Sequence, residues 1–271
     1  MNYTNILSFI ISIILSYIAT PMILDMLFRS KTIRLNYRNE EIPIGMGILF
    51  IFVQMISMSI VILLGWANMK YVMSYLLAFT LMGMVGLLDD LIGEEDVKGF
   101  KGHVKAFFRG FLTTGFIKAG MGFFVALLFS ITISKDIINI IINTLVIALF
   151  TNLMNIFDLR PGRSIKVFLL ISLIMLFSAN TREYNFILYS IYGILIIYFP
   201  IDLKARAMMG DVGSNVIGIT LGIYCALTQT LLAKSIYLLM LILIHILAEK
   251  VSITKVIENN KILNYIDNLG R

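Results

Sequence analysis

Apolar runs of about twenty residues recur from one end of the sequence to the other, and no other feature limits the fold so strongly. At a helical rise of about 1.5 Å per residue, a run of that length crosses the hydrocarbon core of a bilayer. Backbone groups in lipid have no water to bond, so a crossing segment must be a helix or part of a closed barrel. Alternating strand patterns are absent, which leaves helices. Composition agrees, with 59% of the 271 residues hydrophobic and 14% charged, against about a quarter charged in a soluble domain. The expected fold is an all-α integral membrane protein forming a single polytopic domain over residues 1–271. It has about nine transmembrane helices, placed near 5–27, 44–66, 71–91, 112–133, 136–155, 165–179, 186–201, 212–232 and 235–250. The opening apolar stretch lacks a basic start and a small-residue cleavage site and is read as a retained span. Residues 252–271 carry apolar side chains at largely helical spacing and predict a C-terminal amphipathic helix on the interface.

Charge placement orients this bundle. With residues 28–43 assigned to the cytoplasm, 17 of the 22 Lys and Arg residues fall on cytoplasmic segments. Four (Lys70, Lys135, Arg182 and Lys234) fall opposite, and Lys118 sits just inside a span. That positive-inside bias predicts a multi-pass protein of the cell membrane, with an external N-terminus and a cytoplasmic C-terminus. The net charge of +6 is spread over short loops instead of one face, which argues against nucleic acid and for a membrane surface or anionic substrate. The lone Cys225 excludes an intrachain disulfide.

The acids are as lopsided as the bases: of sixteen, only Asp136 and Glu183 fall outside, although carboxylates follow no sidedness rule. Three groups stand at cytoplasmic span ends, where an ionised carboxylate needs pairing, water or a cation. Asp89-Asp90 closes the third span, and a helical offset of about 100° lets the two carboxylates take different tasks. Asn152, Asn155 and Asp158 recur every third residue and form a polar stripe within an arc of about 120°, suited to a cation and a polar ligand. Interhelical hydrogen bonding would explain the asparagines equally well. Asp211, in Met209-Gly-Asp-Val-Gly-Ser-Asn215, opens the eighth span, where a simple N-cap and an anion site at a helix start are both open readings.

Between the first two groups runs a basic segment with Lys98, Lys101, Lys105 and Arg109, able to neutralise phosphate oxygens or anionic lipid heads. Acids and bases converging on one membrane face describe a magnesium and phosphate site. Hard oxygen donors suit Mg2+, and there is no His or Cys cluster for zinc.

In order, spacing and membrane depth, these motifs resemble the polyprenyl-phosphate N-acetylhexosamine-1-phosphate transferases. Gly86 to Asp90 looks like that family's Asp-Asp motif, Asn152 to Asp158 its Asn-x-x-Asn-x-x-Asp motif, and Gly210 to Ser214 its Gly-Asp-x-Gly-Ser motif. Ile42-Pro-Ile-Gly-Met-Gly47 is similar to its glycine-rich segment. The resemblance implies transfer of a phospho-N-acetylhexosamine from a UDP-sugar to a membrane polyprenyl phosphate, with Mg2+ as cofactor, a cytoplasmic site, and a homodimer allowed. It implies Asp89, Asp90 and Asp158 as catalytic residues, and Asp211 with Asp90 as metal ligands. Lys105, Asn152, Asn155 and Ser214 would bind substrate. The chain departs from the family at Asp158-Leu-Arg-Pro-Gly-Arg163, where bases replace an acid near the expected sugar-nucleotide site, so Arg160 and Arg163 join the substrate-binding set. The competing reading is a non-catalytic or transport-type relative. A transporter would be expected to hold its acids nearer mid-membrane and to show a hydropathy repeat.

Overall fold

The computed structural model describes residues 3–93 and 99–271, with residues 99–101 and 104 described by backbone alone. Twelve helices occur among them: α1 (Tyr3–Arg29), α2 (Ile48–Leu63), α3 (Met69–Ile92), α4 (Gly99–Phe108), α5 (Thr114–Ile133), α6 (Ile137–Phe157), α7 (Arg163–Ser178), α8 (Asn185–Leu203), α9 (Gly210–Thr228), α10 (Leu231–Lys250), α11 (Ile253–Asn259) and α12 (Lys261–Asn268). Seven of these, α1, α3, α5, α6, α8, α9 and α10, are long and apolar enough to cross a membrane. The other two predicted spans are α2 and α7, each a 16-residue helix. The protein is therefore an all-α, multi-pass membrane protein.

Helix starts follow local chemistry. Asn68, Thr113, Asp136 and Thr230 lie in extended backbone, and each side chain accepts an amide of the first turn of α3, α5, α6 or α10. The predicted span 212–232 is cut short because Gln229 turns extended, donating from Nε2 to the carbonyl of Met175 at 2.9 Å, before Thr230 caps α10. The second span starts late because residues 44–47 form a loop bonded elsewhere. Met46 N donates to Met208 O, Gly47 N to Met209 O, and Met208 N to Pro43 O, at 3.0, 2.9 and 2.8 Å.

Helix α9 is the axis, with nearly every residue from Val212 to Ala226 buried. It lies against α3 on one side and α6 on the other, where Gly218 and Gly222 bring it onto the backbone around Thr151 and Ile147. In lipid, polar side chains join helices because water is absent. Gln54 of α2 donates to Tyr75 Oη of α3 at 3.0 Å and accepts from Ser190 of α8 at 2.6 Å, and Tyr75 pairs with Thr220 of α9 at 3.0 Å. Helix α1 docks on α8 through small residues, Ser8 donating to Phe186 O at 3.1 Å and Ser12 meeting Ser190 at 2.6 Å. Outward faces show Phe52, Leu77, Phe123 and Leu239 to the apolar solvent.

Two features correct the sequence expectation. A two-stranded antiparallel hairpin, β1 (Ile33–Leu35) with β2 (Glu41–Pro43), folds in the first loop, where no strand was expected. Its turn is held by Asn36, whose Oδ1 accepts the amides of Arg38 and Glu40. The C-terminal tail is two helices, broken at Asn260, whose extended backbone and side chain cap α12 through Ile262 N and Leu263 N.

Candidate active site

The predicted acids meet at one end of the bundle, around a cavity of about 540 Å³. Its lining includes Asp89, Asp90, Asp158, Asp202 and Asp211 together with Arg34, Tyr37 and Arg160. Helix α3 delivers Asp89 and Asp90 in adjacent positions, and the two point to different work. Asp90 is 6% exposed and accepts the first amides of α9, Asp211 N to Oδ1 at 2.9 Å and Val212 N to Oδ2 at 3.2 Å. An anionic acceptor at a helix N-terminus satisfies orphan N–H groups and complements the macrodipole. Both oxygens of Asp90, expected as a metal ligand, are thus engaged in holding the start of α9.

Two glycines make this junction. Gly210 has φ +68°, and a Cβ there would lie 2.2 Å from Asp90 Oδ2. At Gly86 a Cβ would lie 2.4 Å from the carbonyl oxygen of Asp211, so only glycine lets α3 and α9 touch there.

Asp89 and Asp211 turn instead toward Lys118 of α5. Its Nζ donates to Asp89 Oδ2 at 3.0 Å and also to Asp211 Oδ2. Lys118 was not among the expected site residues, because an isolated lysine just inside a span reads as a boundary charge. Asp202 and Arg34 were missed as well. Asp202, at the end of α8, accepts Gly162 N at 2.7 Å and so pins the loop after Asp158. Arg34, on β1, donates to the carbonyl of Asp90 at 3.1 Å, tying the hairpin to α3. Asp202 carried the same signal as Asp158, an acid at the end of an apolar run.

Asp158 follows the last turn of α6 and lines the cavity. Its carboxyl is pushed well above the usual range, first by burial and then by the carboxylates of Asp202, Asp211 and Asp90. Such crowding favours a bound cation. Among the described residues no three His, Cys, Asp or Glu side chains are gathered closely enough to enclose a metal. A cation here would keep water and ligand oxygens in its shell, the habit of Mg2+. The Lys118 ammonium already marks a cation position between Asp89 and Asp211. Were magnesium bound here, Asp211 would be its carboxylate ligand, with Asp89 beside it.

The remaining expected residues divide. Arg160 lines the cavity, its guanidinium 5.3 Å from the ring centre of Tyr37 and 3.7 Å from Glu258. Asn155 is knitted to α9, donating to Asn215 Oδ1 at 2.7 Å and accepting from the Ser214 hydroxyl. Ser214 is fully buried in that pair. These two place α6 against α9 and do not line the cavity. Asn152 is exposed on α6 and also stands outside the lining. A three-residue repeat slips about 60° per step against the helical turn, enough to carry its first member off the site. Lys105 is exposed on α4, away from the lining. Lys98 lies outside the described residues, and Lys101 is described by backbone alone.

Arg163 corrects its expectation most clearly. It is 3% exposed, its Nε and Nη2 grip Asp267 of α12 at 2.8 Å each, and its Nη1 donates to Thr254 at 2.9 Å. Arg271 also clasps Asp267 and donates to Pro161 O at 2.8 Å. Burial opposes charge on Asp267, but the two arginines outweigh it and hold the carboxyl below its ordinary value. The tail is therefore a clamp on the Arg160–Arg163 loop, and Arg163 serves structure in place of substrate.

A family model described as glycosyl transferase family 4 matches residues 72–229, from α3 through the end of α9. Comparison with curated proteins finds no match.

Proposed function

The chain belongs to glycosyl transferase family 4, in which sugar phosphate is transferred onto a lipid, and from that premise we propose that it moves a phospho-N-acetylhexosamine from a UDP-sugar to a polyprenyl phosphate. The observation that carries this reading is the acidic cavity at the bundle end, with Asp89 and Asp211 on either side of Lys118. Phosphoryl transfer asks for positioning and charge neutralisation more than for covalent machinery. A lipid-phosphate oxygen attacks the phosphorus attached to the sugar, the anhydride bond breaks, and UMP leaves with the bond electrons. Asp89 takes the residual proton of the lipid phosphate, and Arg34 and Arg160 face the charge of the pyrophosphate. Asp211 would hold Mg2+, which when bound would supply electrostatic stabilisation of the leaving phosphate. The positive-inside bias supports a cytoplasmic position for this end of the bundle.

A cavity at the membrane end favours transfer over transport, since its acids stand at one surface and form no path through the bundle. The test is UMP release by purified protein given polyprenyl phosphate, Mg2+ and a panel of UDP-sugars. Release with an N-acetylhexosamine nucleotide, abolished by chelation, is expected. Silence toward every sugar from folded protein would defeat the proposal.

A further inference from the structure

At the opposite end of the bundle, a second cavity of about 350 Å³ lies among the starts of α6, α8 and α10 and the ends of α5 and α9. Lys234, one turn into α10, lines it and is 7% exposed. Among the described residues no hydrogen bond or ion pair reaches its ammonium. Its stem is buried while its ammonium opens on the cavity, near Asp136 but not paired with it, and an anion in the cavity would complete the pairing. Asp136 is the only carboxylate in the lining, and it is already used: Oδ1 accepts Asn139 N and Oδ2 accepts Asn139 Nδ2, both at 2.9 Å. Lys135 lines the same cavity, and Ser134 Oγ, which accepts from Asn143 at 2.9 Å, keeps its own proton to donate. Lys70 stands nearby, 5.8 Å from the centre of the Tyr71 ring that forms part of the wall. The ensemble is a set of donors around a space, with cations in excess.

We propose that Lys234, Lys135 and Ser134 form an anion pocket for a phosphate group at the membrane face opposite the acidic cavity. Phosphate oxygens would accept from both ammonium groups and from the serine hydroxyl, the charge-assisted bonds that such a trio can make. The phosphate could come from a lipid headgroup at that face or from free solution, and the chemistry is the same.

The experiment uses the full chain in neutral detergent and follows thermal unfolding during titration. The probes are dioctanoyl phosphatidic acid, dioctanoylglycerol with the same tails and no phosphate, and inorganic phosphate. Phosphatidic acid is expected to raise Tm where dioctanoylglycerol does not, and Lys234→Met to weaken its apparent affinity by roughly tenfold or more. Without ligand, Lys234→Met should melt close to wild type, because methionine keeps the buried stem and removes only an ammonium that has no hydrogen-bonded partner among the described residues. A Lys234-dependent shift with inorganic phosphate as well assigns the pocket to free anions, and its absence assigns it to lipid. Lys135→Ala, at the exposed rim, gives a smaller loss and carries the test if Lys234→Met fails to fold. Asp211→Asn, at the other end, should leave the titration unchanged. Phosphate affinity that is absent, or equal in wild type and both lysine variants, overturns the proposal.

Discussion

Asp90 accepts the backbone amide of Asp211 at 2.9 Å, so the second acid of one motif fixes the helix start that presents the acid of another. The first acid, Asp89, is left to face Lys118. Adjacent aspartates therefore predict opposite phenotypes. Asp90→Ala removes a charged acceptor from two orphan amides and should cost about 2 kcal/mol of stability along with activity. Asp89→Asn should abolish turnover with a much smaller change in Tm. Thermal unfolding and turnover of the two variants, measured side by side, check this division.

Gly86 predicts a steric phenotype far from any substrate atom. The obstruction to a Cβ is backbone, the Asp211 carbonyl at 2.4 Å, and relief requires α3 to move off α9. Gly86→Ala should cost roughly 1–3 kcal/mol and most of the activity. Gly120 on α5 has nothing within 4 Å of the same added atom. Gly120→Ala should leave activity intact and raise Tm, because alanine is the better helix former.

Much of this architecture is legible in the sequence, because the bilayer dictates span length and acids at span ends are rare enough to stand out. The nine apolar segments all became helices, and Asp89, Asp158 and Asp211 reached one cavity. What was hidden depended on contacts distant in sequence. Nothing local tells Lys118 that Asp89 and Asp211 lie beside it, and nothing near Arg163 announces Asp267, 104 residues later. The hairpin at 33–43 escaped because three-residue strands are too short to show a period. The asparagine stripe overreached, since a repeat of three only approximates the helical turn.

The tail clamp predicts an acid-sensitive contribution to stability. Removing one partner of a buried ion pair leaves the other uncompensated, so Asp267→Asn should cost on the order of 3 kcal/mol at neutral pH. A carboxyl held below its ordinary value in the folded state stabilises above the unfolded pKa of about 3.9. That contribution fades as pH falls through the lower, folded value. The Tm gap between wild type and Asp267→Asn should be full at pH 7 and shrink below about pH 4. A gap independent of pH would remove the ionic explanation.

Asp158 predicts the reverse sign. Its carboxyl is raised in the folded state, so its charge opposes folding once pH exceeds the ordinary carboxylate value. Asp158→Asn should lose activity and yet melt at or above the wild-type temperature at pH 7. Mg2+ should stabilise wild type by binding the native cavity and stabilise the variant less. Calorimetry with and without Mg2+ measures both effects.

The central claim is that the cavity passes a sugar together with its phosphate to a lipid. Its most direct measurement follows phosphorus: a UDP-N-acetylhexosamine labelled in the phosphate next to the sugar, incubated with polyprenyl phosphate, Mg2+ and protein. Wild type should carry the label into the lipid phase and release unlabelled UMP, while Asp211→Asn should transfer none. Label leaving as UDP, or passing to lipid at an undiminished rate in Asp211→Asn, would contradict the account.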